Sequence, residues 1–527
     1  MTARRTSLAW ASGFVLLGAL LIAHKLIALD TVPPGLYVDE SSIGYNAWTI
    51  AHYGVDEHGV RLPLFFEAFE DYKNPVYIYA LAPLTLVFPL SPVLERLPAA
   101  IFGMLTVVLI AMTAWRLSRS RPAALFAMVL ATLTPWLIQE SRVGFELVSM
   151  VMLLAAGFWC LSDEDRATPR RFLAAGVFFA LAIYGYSVGR LLVLLFAVAF
   201  AVAYGLRRKR KHGWTLTLVP IAAAYLLLEI WNLLNPGALT ERFNLLSIGA
   251  DGAPLPTLIS RFAGNYIAFF DPNFLLFSGD RNIRHSTGYG GLLLAAMVPL
   301  LLLGLWTCWR RRRQSMPRLV ILCLVLSPVP AALTNQGIPH ALRAAPMLPV
   351  LFVLAVYGLA GLGELLHDGP VAARVTAAGG LLAATLVQAG LFSLDLYTAY
   401  PTRSAPAFDT GVEPAIQLAA RHAAGHTVYL TESTDDPYIQ AFFGLLPPPP
   451  PRPVTNNRTP GLRRLGVTVA DPALAEAAAV PGDVLVLTRG DPMPPVPFDV
   501  LGSWDLPTNP FTAGAPSTTL VTVVQLR

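Results

Sequence analysis

Eleven apolar stretches of 16 to 24 residues recur between residues 7 and 392, and they limit this chain more than any motif does. Crossing a bilayer as a helix takes about 20 predominantly apolar residues, with a range of roughly 17 to 25. Only helices or closed barrels can cross without stranding backbone polar groups in hydrocarbon. The stretches lie at about 7–23, 93–116, 122–138, 146–161, 172–187, 190–206, 214–232, 289–309, 318–334, 345–365 and 372–392. They predict a polytopic α-helical membrane protein with about eleven transmembrane helices. With 55% hydrophobic and 13% charged residues, against about 25% charged in an average soluble protein, a single soluble core is excluded. No small-residue cleavage pattern follows the first stretch, which therefore reads as a retained span rather than a removed signal.

The net charge of +5 does not point to nucleic acid, because the basic residues sit in short clusters between spans. Arg4 and Arg5, then Arg116, Arg119 and Arg121, then Arg166, Arg170 and Arg171, then the run 207–211, then 310–313 with Arg318, fall in alternate loops. Lysine and arginine concentrate in cytoplasmic loops, so this side is predicted to be the cytoplasm, with the amino terminus there. Eleven crossings of a plasma membrane then place the carboxyl terminus outside. Cys160, Cys308 and Cys323 all fall inside apolar runs, where they act as small hydrophobes and say nothing about redox compartment.

Composition changes near residue 393. Short β-like runs at 427–430, 483–487 and 518–526 alternate with a helical pattern over 413–425, which predicts a small extracytoplasmic α/β domain over 393–527. Residues 1–392 form the expected membrane module. The proline run at 447–453 reads as an extended loop.

The chemistry gathers on the predicted outer side. The first outer loop, 30–92, carries Asp30, Asp39, Glu40, Asp56, Glu57, Glu67, Glu70 and Asp71 against only Arg61 and Lys73, among many aromatic residues. Its aromatic, amphipathic segments predict helices in the interfacial plane. Carboxylates partly desolvated beside apolar surface become more basic. Asp39 and Glu40 are adjacent, so on a helix they diverge by about 100° and cannot serve one proton equally. One would act on substrate while the other orients it; alternatively both simply start a helix over 41–54, where acids favour the dipole. Lys73 beside Glu70 and Asp71 is either a plain ion pair or a phosphate contact.

Isolated cations flank other outer segments: Arg142, Arg190, His340 and Arg343. Singly, each reads as a side chain reaching toward lipid headgroups; converging, they would suit a phosphate or diphosphate. The turn-rich stretch 269–291 adds Asp280, Arg281, Arg284 and His285, but His285 has no partner at metal-ligand spacing, and no metal site is expected. Nucleophile-elbow, P-loop and dinucleotide fingerprints do not accompany these groups. A base plus cations at one membrane face suits group transfer from a lipid phosphate. A transporter or flippase of a lipid-linked sugar is the rival reading, which predicts inverted repeats and mid-bilayer charges that the sequence does not display.

An N-terminal span, then Asp39-Glu40, then acids and Lys73 ahead of Pro75 resembles the GT-C glycosyltransferases of the protein O-mannosyltransferase and aminoarabinose transferase type. Segments 95–105, 134–146, 274–286 and 339–349 are similar to those of bacterial members, and the resemblance covers about residues 8 to 400. It implies an inverting transfer of a sugar from a polyprenyl-phosphate donor to a protein, lipid or cell-wall glycan at the outer face. By position Asp39 resembles the catalytic base and Glu40 its companion. Lys73, after Glu70 and Asp71, resembles the lysine on the donor phosphate, although Asn74 intervenes before Pro75. Arg142, Arg190, His285, His340 and Arg343 would be donor-phosphate or structural residues. The family comparison leans toward chemistry without a cofactor.

Overall fold

The structure, a computed structural model, describes residues 2–69, 71–162, 168–205, 213–510 and 517–527. Glu70, Arg166 and the basic run 207–211 lie outside the described residues. Two compact units share the chain. One comprises 1–27, 99–141 and 146–393, and the other 28–98, 142–145 and 394–527. The expected division at residue 392 therefore differs from the packing, since the first loop clusters with the carboxyl-terminal segment.

The first unit is helical. Each of the eleven apolar stretches contains helix, among them Thr2–Leu26, Pro92–Ser118, Gly189–Gly205 and Val371–Thr398. Among the described residues, five helices are long and apolar enough to cross a membrane: Pro92–Ser118, Trp214–Leu234, Ser315–Ala332, Met347–Leu365 and Val371–Thr398. Another stretch is broken by a proline. Helix Arg121–Leu133 stops at an extended Thr134, and Pro135 opens the short helix Pro135–Glu140, because a residue before proline is pushed out of the helical region. Helices Met297–Arg310 and Met347–Leu365 pack through glycines. A Cβ at Gly304 would lie 2.0 Å from the Leu354 carbonyl oxygen, and one at Gly358 would lie 2.0 Å from that of Leu300. Small residues let helix backbones approach this closely where apolar burial cannot drive association. Lys25 is fully buried and donates to the Leu137 carbonyl at 2.9 Å and to the Ser141 hydroxyl.

The second unit is built on a five-stranded sheet. Strands β3 (Val428–Thr431), β4 (Val467–Ala470), β5 (Val484–Thr488), β6 (Phe498–Asp505) and β7 (Thr519–Leu526) lie in the order β4-β3-β5-β7-β6. The β3 strand runs parallel to β4 and β5, and β7 is antiparallel to both β5 and β6. Val484 to Leu487 of β5 are all buried, as expected of an interior strand covered on both faces. Helix Val412–His422 buries Val412, Ala415, Ile416 and Ala419, a one-sided stripe at helical spacing. The proline run packs along the first loop: the Tyr45 hydroxyl donates to the Pro447 carbonyl at 2.7 Å, and Val454 N–H donates to His58 O at 2.9 Å.

In the first loop, helix Val38–Tyr53 is followed by the antiparallel hairpin β1 (Phe66–Ala68) and β2 (Asp71–Lys73) and by helix Pro75–Thr85. An interfacial helix would leave one face open. Helix Val38–Tyr53 instead buries ten of the eleven positions from Glu40 through Ile50, all but Trp48. It packs against helices Pro75–Thr85 and Pro437–Leu445. Gly44 permits this approach, since a Cβ there would meet the Phe443 ring at 2.6 Å.

Candidate active site

The chain enters helix Val38–Tyr53 through an extended Tyr37 (φ −71°, ψ 151°). Asp39 and Glu40 occupy the second and third helical positions, where carboxylates compensate exposed N–H groups and the dipole. Both acids thus do start the helix, and tertiary contacts then separate them.

Glu40 is fully buried. Its Oε2 accepts from Tyr37 N–H at 3.0 Å, the return arm of a capping box. Its Oε1 accepts from Arg96 Nε at 2.8 Å and Gly144 N–H at 3.0 Å, and Arg96 Nη2 reaches Oε2 at 3.1 Å. The remaining Arg96 donors go to the carbonyls of Leu29 at 3.0 Å, Pro33 at 2.8 Å and Gly35 at 2.6 Å. All five guanidinium N–H groups are used. Buried charges survive only when paired and saturated in this way. Glu40 therefore holds the entry to the helix and cannot reach a substrate.

Asp39 differs: its side chain is 35% exposed, and Oδ1 accepts from Lys73 Nζ at 2.5 Å. Its second oxygen accepts no hydrogen bond among the described residues. Lys73 closes β2 opposite Phe66, with Nζ 5.0 Å from the centre of the Phe69 ring. Asn74, extended at φ −84° and ψ 145°, caps the helix that Pro75 opens. Asn74 thus ends the strand and lets Lys73 point back to Asp39. Asp71 accepts from the Tyr72 N–H at 2.8 Å.

Three charged residues of this unit were given no site role from the sequence. Arg96 and Glu95 stand inside an apolar run, a placement that itself signals a structural or functional role. Among the described residues neither buried oxygen of Glu95 has a hydrogen-bond partner. A Cβ on Gly144 would lie 1.8 Å from Glu95 Oε1, so only glycine fits there. The third is Glu57, fully buried, which accepts from Asn46 Nδ2 at 3.3 Å while its own N–H donates to Asn46 Oδ1 at 2.9 Å. Burial pushes the Glu57 carboxyl up to about 8. Burial also raises Asp56 and Glu67 of the same loop above the ordinary carboxyl range.

This gives a pH signature. The folded chain binds a proton on Glu57 that the unfolded chain releases, so the stabilisation is complete below the ordinary carboxyl range and is lost as pH rises through about 8. Melting temperature is expected to fall between about pH 5 and 8, and Glu57→Gln should flatten the fall. An unchanged profile in that variant would count against a protonated Glu57.

The other expected site residues are placed differently. Arg142 is fully buried in the second unit. It donates from Nε to Val32 O at 3.0 Å and from Nη2 to Ala28 O at 2.9 Å, and packs over the Tyr397 ring. It clamps backbone and is not exposed to a phosphate. In the first unit Arg343 Nη1 donates to Thr334 Oγ1 at 2.9 Å and Gln336 O at 3.0 Å. Arg190 lies 3.4 Å from Leu239 O through Nη1. His285 and His340 lie with ring centres 4.8 Å apart and planes tilted by 33°, beside Asp280, whose Oδ2 accepts from Ala341 N–H at 2.6 Å. Burial and neighbouring Arg343 push His340 down to about 3, and burial holds His285 well below its usual range. Both shifts disfavour the protonated imidazole. Among the described residues no group of three or more His, Cys, Asp or Glu is arranged to hold a metal ion.

Residues 33–235, which include Asp39, Lys73 and Arg96, match the family model of dolichyl-phosphate-mannose-protein mannosyltransferase. The fold is shared with the solved structures of ArnT and AglB. ArnT from Cupriavidus metallidurans in the apo state aligns at 16% identity and TM-score 0.58, covering 98% of each chain. The same protein bound to undecaprenyl phosphate aligns at 17% identity and TM-score 0.58 over 97% of each chain. The archaeal oligosaccharyltransferase AglB from Archaeoglobus fulgidus, in complex with an inhibitory peptide and a dolichol-phosphate, aligns at 12% identity and TM-score 0.52. That alignment covers 92% of this chain and 70% of AglB. No curated protein matches the chain by sequence. Over its length the chain thus resembles ArnT in fold, and over residues 33–235 the mannosyltransferase family model in sequence.

Proposed function

We propose that this protein is an integral-membrane glycosyltransferase that moves a sugar from a polyprenyl-phosphate donor to an acceptor hydroxyl, with inversion, at the outer face of a membrane crossed eleven times. The observation that carries the reading is the Asp39–Lys73 pair, part-exposed and held at 2.5 Å on a helix start anchored by Glu40 and Arg96. The mannosyltransferase family match and the lipid phosphates bound by ArnT and AglB support it.

The acceptor oxygen attacks the anomeric carbon as the bond from that carbon to the phosphate oxygen breaks. The hydroxyl proton passes to the open oxygen of Asp39, and the electron pair leaves on the phosphate. Lys73 has three donors, enough to hold Asp39 and the phosphate together and to neutralise the leaving charge where it develops. The step as written needs no cofactor. Glu40 acts through Asp39's position alone.

Lys73→Ala should raise the donor KM roughly 10- to 100-fold, the loss of one charge-assisted contact worth about 1.5 to 3 kcal/mol. Transfer assays in vesicles carrying polyprenyl-phosphate sugars measure this. An unchanged donor KM removes the phosphate contact. Mass spectrometry of lipids and glycoconjugates from cells with and without the protein would name sugar and acceptor, and identical profiles would sink the transferase reading.

A further inference from the structure

A cavity of about 400 Å³ opens in the first unit between helices Thr2–Leu26, Pro92–Ser118 and Arg121–Leu133, lined by Phe14, Val108, Ala111, Met112, Trp115 and Met128 among others, with Arg121 on its wall. We propose that it binds one acyl chain of an anionic phospholipid, with the headgroup phosphate on Arg121.

The lining is almost entirely apolar, and a dry apolar cavity of about 150 Å³ already accepts a benzene-sized molecule. The volume falls within the roughly 300 to 1,000 Å³ of ordinary ligand sites. The wall runs from Val108 to Trp115 on one helix and from Arg121 to Met128 on another. Seven rises of 1.5 Å on each make a slot about 10 Å deep. That depth suits the upper part of a fatty chain.

One end of the slot has the character of a membrane–water boundary. Trp115 is 40% exposed, and tryptophan concentrates at headgroup level. Helix Pro92–Ser118 ends there with Arg116 in its last turn, and Arg119 lies in the connection to Arg121. Arg116 is committed: it donates to the Trp159 carbonyl at 2.7 Å and lies over the Trp159 ring. Arg121 is exposed and makes no hydrogen bond or ion pair among the described residues. It is also the first residue of a 13-residue helix, whose positive end favours an anion. The charge complement is a phosphate, and the apolar slot below it requires that the phosphate carry a chain. Basic clusters at this level attract anionic lipids at about one arginine's worth of attraction per contact.

The test uses the full chain in neutral detergent, with native mass spectrometry and thermal melting in the presence of phosphatidylglycerol or phosphatidylcholine of identical chains. One phosphatidylglycerol should be retained per protein and raise the melting temperature, with phosphatidylcholine retained several-fold less. Arg121→Gln should weaken phosphatidylglycerol retention roughly fivefold. Val108→Trp, which fills the deep end at a position already 40% exposed, should lower retention of both lipids. Equal retention of the two lipids by the unaltered protein would overturn the proposal, as would undiminished retention in both variants. An equal melting shift from glycerol phosphate alone would overturn the role of the chain. Displacement of phosphatidylglycerol by equimolar polyprenyl phosphate would reassign the slot to the carrier lipid and overturn it as well.

Discussion

Asp39→Asn is expected to cut sugar transfer by about 100- to 10,000-fold, the range over which a positioned general base contributes. The substitution keeps side-chain volume, and the amide oxygen can still accept from Lys73, so the pair that Asp39 Oδ1 makes at 2.5 Å is largely retained. What is lost is the open oxygen that receives the acceptor's proton. The deficit should therefore appear in the chemical step, in kcat and in single-turnover rate, while donor KM and melting temperature stay near their original values. A purified Asp39→Asn protein that turns over normally would end the assignment. One that melts many degrees lower would mean that Asp39 serves the fold.

The second large effect concerns stability. Arg96→Ala leaves the Glu40 carboxylate buried without its counter-charge and strips donors from the carbonyls of Leu29, Pro33 and Gly35. Breaking a buried ion pair by removing one partner costs about 3 to 5 kcal/mol, a large fraction of the stability of most folded domains. The variant should accumulate poorly and melt far below the unaltered protein. Arg96→Lys should not restore it, because a single ammonium has three donors and cannot reproduce the planar fork that spans five contacts. Thermal melting of the detergent-solubilised proteins decides this. A wild-type melting temperature for Arg96→Ala would show that the pair is not what holds the entry to the helix. The two predictions are separable, since one removes rate with the fold intact and the other removes the fold.

How far each residue could be read from the chain depends on how local its determinants are. Each of the eleven apolar runs contains helix because hydrophobic length is a property of contiguous residues. Strands β3, β5 and β7 were legible from dense β-branched runs such as 518–526. The edge strands were not: β6 contains Asp499, Gly502, Ser503 and Asp505, and β4 is four residues long. Their pairing comes from neighbours far along the chain. The helix start at Asp39-Glu40 was visible as an alternative, and the structure adopts it. The buried state of Glu57 was not visible, because it depends on Asn46 and on Asn457, whose side-chain amide donates to the Glu57 carbonyl at 2.8 Å from 400 positions away.

By itself the sequence determined the apolar spans, their loop charges, the acid-rich first loop and the presence of Asp39 and Lys73 within it, since these follow from composition and short-range pattern. Only the tertiary structure decided which of two adjacent carboxylates is open. Helix geometry points Asp39 and Glu40 in different directions, but it was Arg96 and Gly144, 56 and 104 residues away, that buried one and left the other beside Lys73. It also committed Arg142 to the carbonyls of Val32 and Ala28. Whether a side chain is charged, saturated or free depends on desolvation and on partners that no local pattern specifies.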